Sequence, residues 1–154
     1  MELGTLYAFL GVAIAVLLSG IGSAYGVSIA GKVSAGVVTE DPKKFGQTLV
    51  LTALPGTQGI YGFVIGMLMV FKFAAVGGPI PLEAGVRFLI AGMPVGVVGL
   101  VSAILQGQVA ASGIGIVAKR PEESAKGIVY AGLVETYAIL AFIISFFLFN
   151  TITL

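Results

Sequence analysis

Apolar residues in this chain fall into four long runs with little polar periodicity, and most of the charge sits in three short segments between them. Positions 6–31 hold no charged residue over 26 places, positions 45–71 none over 27, and positions 88–118 none over 31. Positions 127–154 hold one, Glu135. A bilayer span needs about 20 predominantly apolar residues, and four helices without a polar face do not suit a water-soluble core. The pattern predicts an all-α membrane protein with four transmembrane helices, the third tilted or extending into water. The first run is read as a span rather than a signal peptide, because it lacks a basic leader and its apolar stretch is too long. The segments 38–44, 74–83 and 119–124 are read as linkers.

The chain also repeats itself, which predicts two tandem helical hairpins, 1–75 and 76–154. Residues 54–69 (LPGTQGIYGFVIGMLM) and 133–148 (LVETYAILAFIISFFL) align without a gap at an offset of 79, with five of sixteen positions identical. Pro42 and Pro121 share that offset. The first runs of the halves are aligned at 83 instead, Ser19 on Ser102 and Ile21 on Ile104, which implies one helical turn lost in the second half. Both hairpins then point the same way, as a parallel repeat. The first and third runs carry small residues at helical spacing, such as Gly22, Gly26, Ala30, Ala103, Gly107 and Ala111, which let helix backbones approach closely in lipid. The second and fourth are bulkier, with Phe63, Phe71, Phe142 and Phe147. Tight packing alone accounts for this. A more specific arrangement puts small-residue helices on an inner circle and bulky ones outside, so that many copies form an oligomeric ring.

Composition narrows the chemistry. Only 10% of the residues are charged, against about 25% in soluble domains, and the net charge is +1. With no His and no Cys, His- or Cys-based catalysis, zinc sites and disulfides are excluded. Few basic residues and a near-zero net charge argue against nucleic acid as a partner. Six of the eight basic residues lie in or near 38–44 and 119–124. The positive-inside rule therefore puts those two loops in the cytoplasm and both termini on the opposite side.

Glu135 is the one ionisable carboxylate or amine deep in a span. A charge there costs at least about 3 kcal/mol, so it marks either a functional site or a protonated, hydrogen-bonded structural group. In the second run Leu54, Thr57, Gln58 and Tyr61 fall at i, i+3, i+4 and i+7, on one helix face. In the third, Gln106 and Gln108 point to different sides, so at most one joins a shared site. Amide, hydroxyl and carboxylate oxygens around one anion suit a small hard cation, and this surplus of oxygens favours Na⁺ over H⁺. Pro55 removes a backbone N–H and is expected to free the carbonyl of Leu51. At the 79 offset Glu135 aligns with Gly56, so two hairpins yield one ionisable site.

The stretches LPGTQGIYGF (54–63), LQGQVAASGI (105–114) and KGIVYAGLVETYAIL (126–140), with the DPKKFGQ and KRPEE loops, resemble the sixteen-kilodalton proteolipid of V-type rotary ATPases. This is the K or c protein of the rotor ring, and the likeness is greatest to its sodium-pumping bacterial members. It covers nearly the whole chain. It implies a ring of identical four-helix subunits in a bacterial cell membrane, surrounded by lipid and turning against a stator subunit that carries an arginine. Central-axle subunits would sit on the cytoplasmic loops. The resemblance implies Na⁺ held by Glu135, Gln58, Gln106, Thr57 and the Leu54 carbonyl, with Tyr61 hydrogen-bonding the Glu135 carboxylate. The chain has no P-loop, so ATP hydrolysis belongs to a separate head and this subunit is not catalytic. The alternatives are the same ring carrying H⁺, a four-helix proton-coupled exporter with its carboxylate in the first helix, and a passive channel.

Overall fold

The structure, a computed structural model, describes residues 2–154, and the described residues form helices and short connections with no strand. The helices are α1 (Leu3–Glu40), α2 (Phe45–Ala53), α3 (Thr57–Val76), α4 (Leu82–Lys119) and α5 (Ser124–Asn150). A 3₁₀ turn joins α2 to α3, so they act as one span, and four spans are long and apolar enough to cross a membrane. The halves are a repeat of helical hairpins, as the sequence predicts.

Prolines set the helix ends. Asp41 and Arg120 each precede a proline, and each leaves the helical region with φ near −143° or −144°, because a residue before proline is pushed out of the α region. The Asp41 carboxylate then accepts from the Lys43 N–H and caps the turn at Pro42–Lys44. Nothing stops α1 earlier, so the helix absorbs 38–40 from the expected linker. Gly77 ends α3 in the left-handed region, φ 64°, which glycine enters without a Cβ penalty.

The 83-residue offset for the first helices is corrected. Helices α1 and α4 are both 38 residues long and begin and end 79 apart. At 79, nine of their 38 positions are identical, and no turn has been lost. Small residues recur near every fourth place in both helices, so a shift of one turn lays the stripe on itself and hides the true register. At 1.5 Å per residue each helix is roughly 57 Å long, so α1 as well as α4 outruns a bilayer.

Helices α1 and α4 pack in parallel, backbone on backbone. A Cβ on Gly11 would land on the Phe88 carbonyl, and one on Gly22 would lie 2.5 Å from the Leu100 Cα. Helix α3 lies against α1 and α4, while α5 lies against α4 and α3. Phe63, Phe71, Tyr137 and Phe147 stay exposed on the outer helices. Small residues thus bring α1 and α4 together, and bulky ones clothe the outside. Two apolar clusters fill the bundle, one around Ala15, Ile65, Phe88 and Val95, the other around Ala30, Leu51, Ala110 and Ile114. Between them along the helices lies a buried polar band of Ser19, Ser23, Gln58, Ser102 and Gln106. At the charged end the hairpins are tied together: Lys44 Nζ donates to the Ala118 carbonyl at 2.8 Å and Gln47 Nε2 to the Pro121 carbonyl at 3.0 Å.

Candidate functional site

The polar band starts from Pro55. The chain tightens into a 3₁₀ turn over Leu54–Gly56, and the Thr57 N–H bonds the Leu54 carbonyl. Thr57 Oγ1 donates to the same carbonyl at 2.9 Å and lies 3.4 Å from Gln58 Oε1. The backbone oxygen gathered with these side chains is therefore that of Leu54. The Leu51 side chain is buried in the apolar cluster below it.

From Gln58 the network crosses three helices. Gln58 Nε2 donates to Gln106 Oε1 at 2.5 Å and lies 3.4 Å from Ser102 Oγ. Gln106 Nε2 reaches the Ala131 carbonyl at 3.0 Å and Glu135 Oε2 at 3.3 Å. Tyr61 donates its hydroxyl to Glu135 Oε1 at 2.6 Å, with its ring tilted against Phe142. Ser102 Oγ donates to the Val134 carbonyl at 3.1 Å. Both amides are fully buried, and among the described residues every buried side-chain nitrogen and oxygen has a partner.

Leu54, Thr57, Gln58, Tyr61, Gln106 and Glu135 thus meet in one network, while Gln108 is exposed on the other side of α4. Ser102 is a site residue that the sequence reading misses. It precedes Gln106 by four places and so shares its face, and that spacing is the available signal.

Glu135 is half-buried, and its hydrogen-bond partners are neutral donors. The ion pairs among the described residues lie elsewhere, at Asp41–Lys44, Glu83–Arg87 and Glu123–Lys126. A carboxylate in lipid without a protein countercharge must take a proton or a metal cation to avoid the insertion cost. Leu54, Thr57, Gln58, Gln106 and Glu135 each bring to this network an oxygen of the type hard cations bind.

The first half holds no second site. At the 79 offset Gly56 stands at Glu135, Val27 at Gln106 and Ser23 at Ser102. Only the serine is kept, and its hydroxyl accepts from the Gly59 N–H at 2.8 Å.

The model of the ATP synthase C-subunit family matches the chain twice, over 10–69 and 89–148. These segments are 79 residues apart, the offset set by the helix ends. The chain is 51% identical over 145 residues to the V-type sodium ATPase subunit K of Enterococcus hirae, covering 94% of this chain and 91% of that one. It is 43% identical over 138 residues to the A-type ATP synthase subunit K of Methanocaldococcus jannaschii, covering 90% and 59%. Over 117 residues it is 30% identical to a 16 kDa proteolipid of the V-type proton ATPase of Caenorhabditis briggsae, covering 75% and 71%.

Proposed function

We infer the function from one premise: the chain belongs to the ATP synthase C-subunit family, whose model both halves match. It is a multi-pass membrane protein and a rotor-ring proteolipid of a V-type ATPase, an ion-translocating subunit rather than a catalytic one. Its ion is Na⁺. The observation that carries this is Glu135, a carboxylate in a membrane-spanning helix whose hydrogen-bond partners are the neutral side chains of Tyr61 and Gln106. The relative named for sodium is also much closer in sequence, at 51% identity, than the one named for protons, at 30%.

In this mechanism Na⁺ enters beside a stator subunit and binds to Glu135, Gln58, Gln106, Thr57 and the Leu54 carbonyl. One carboxylate and one monovalent cation make a neutral site, which passes lipid at little cost as the ring of identical copies turns. Tyr61 holds the carboxylate in its binding pose. Near a stator arginine the carboxylate exchanges its ion for the guanidinium charge, and the ion leaves. ATP hydrolysis in a separate head drives an axle that rests on the basic loops 38–44 and 119–124, which face the cytoplasm.

Carbodiimide labelling of Glu135 in purified rings tests the ion. Added Na⁺ is expected to protect at fixed pH, because an occupied carboxylate does not react. Labelling that responds to acidification alone makes the ion H⁺. Tyr61→Phe removes a hydrogen bond to a charged group, worth about 1.5–3 kcal/mol. It is expected to raise the Na⁺ concentration for half-protection roughly tenfold or more while the ring still forms. An unchanged half-protection point rules out this role for Tyr61.

A further inference from the structure

We propose that Ser23 on α1 is a positioning residue for the ion site. It caps α3 from the neighbouring helix, holds the break at Pro55, and so keeps the Leu54 carbonyl gathered with Thr57 and Gln58. This role rests on the sodium site proposed above, and it falls to a helix that contributes none of the proposed ion ligands.

Gly59 is the third residue of α3. The first N–H groups of a helix have no partner within it, and a serine in the N-cap place accepts from the second or third residue's N–H. In α3 that place is held by Gly56, which has no side chain to offer. The oxygen comes from α1 instead: Ser23 Oγ accepts from the Gly59 N–H at 2.8 Å. The fit is close. A Cβ on Gly59 would lie 3.1 Å from Ser23 Oγ, and one on Gly26 would lie 2.7 Å from the Pro55 Cβ. Glycines on both helices let α1 press against the turn.

The cap bears on which bond the Leu54 carbonyl makes. In an unbroken α-helix the Gly59 N–H would bond the Pro55 carbonyl, and the Gln58 N–H the Leu54 carbonyl. Ser23 takes the first of these donors, and the Leu54 carbonyl accepts from the N–H and Oγ1 of Thr57. Proline alone does not account for the break, because α4 runs on as one helix through Pro94. There Ser145 of α5 takes the N–H beside the proline, at Val95, rather than the one four places on. The second half shows the converse. At the 79 offset Ser102 stands at Ser23, Val134 at Pro55 and Ala138 at Gly59. Ser102 donates to the Val134 carbonyl at 3.1 Å, and α5 continues unbroken from Ser124 to Asn150. Where the serine captures the later N–H the helix breaks and gathers a carbonyl; where it donates to the earlier carbonyl the helix stays whole and carries Glu135.

Carbodiimide labelling of Glu135 in the assembled complex reads this role. Ser23→Ala removes one neutral hydrogen bond and is expected to raise the Na⁺ concentration for half-protection about threefold to tenfold. Its labelling rate without Na⁺ is expected to match that of the unmodified protein, because Tyr61 and Gln106 still hold the carboxylate. Gly59→Ala crowds the Ser23 hydroxyl and is expected to act in the same direction, and it carries the same reading where Ser23→Ala lowers ring recovery. The double variant is expected to be no worse than the stronger single one, since both break one contact. Ser19→Ala is the control. A Cβ on Gly62 would land on Ser19 Oγ, so Ser19 abuts the same helix, but its hydroxyl donates within α1 to the Ala15 carbonyl at 2.6 Å. It is expected to leave half-protection unchanged. The role is overturned if Ser23→Ala leaves half-protection unchanged, or if Ser19→Ala shifts it equally. It is also overturned if the labelling rate without Na⁺ shifts along with it, which would mean a loosened bundle, or if the effects of Ser23→Ala and Gly59→Ala add. An unmodified complex that Na⁺ does not protect removes the sodium assignment and this role with it.

Discussion

Glu135→Gln is expected to stop ion-coupled turnover completely and to leave the ring assembled. Glutamine has nearly the same shape, its amide oxygen can still accept from Tyr61, and the bundle around it keeps its packing. The negative charge is what is lost. Without it, a bound Na⁺ would leave the site positively charged against lipid, where an isolated charge costs at least about 3 kcal/mol. The stator arginine would also lose the group it displaces the ion from. Sodium uptake and ATP hydrolysis by the purified complex, together with ring recovery on a gel, separate the outcomes. Loss of the ring would make Glu135 a structural group, and continued sodium uptake would place the ion elsewhere.

The second large effect is structural. Gly107→Leu is expected to remove nearly all assembled ring from the membrane. A Cβ at Gly107 would lie 2.5 Å from the Gly26 Cα and 2.8 Å from its carbonyl carbon. The obstacle is backbone, so no rotamer change relieves it. Ordinary overpacking costs about 1–3 kcal/mol, and here the close approach of α1 and α4 must itself open. Gly46→Ala is the contrasting variant. A Cβ there meets nothing within 4 Å, the matching position in the second half is already Ala125, and alanine favours a helix by up to about 1 kcal/mol. Ring recovery at two temperatures should therefore fall sharply for the first variant and hold or rise for the second. Normal recovery of Gly107→Leu would mean that the α1–α4 seam is not close-packed.

The site is more legible in the sequence than the frame that holds it. Helical spacing puts Leu54, Thr57, Gln58 and Tyr61 on one face, and a lone charge is conspicuous in a span, so these residues can be found without coordinates. Gln106 cannot be told from Gln108 by spacing, since either side of α4 could face the partner helices. Charge suggests the helix ends, whereas Asp41–Pro42 and Arg120–Pro121 set them by backbone sterics. Lys32 interrupts an apolar run without interrupting a helix. The repeat offset of the first helices fails because glycine, alanine and serine stripes look alike after a shift of one turn. The matched helix ends, Leu3 with Leu82 and Glu40 with Lys119, fix it.

Gly56 bears on the gearing of the whole machine. There is room beside it, since a Cβ would meet only Val27 Cγ2 at 3.7 Å, yet this position in the first hairpin carries no acid. With the ion carried as proposed on Glu135, a rotor built from such copies would move one ion per pair of hairpins in each revolution. For a fixed number of ATP molecules per revolution, every ion then receives about twice the driving force that a carboxylate in each hairpin would allow. Moving one charge against 100 mV takes about 2.3 kcal/mol. Leaving out one carboxylate per copy therefore raises the stalling gradient, and the ring trades ions moved per turn for the height to which each is lifted.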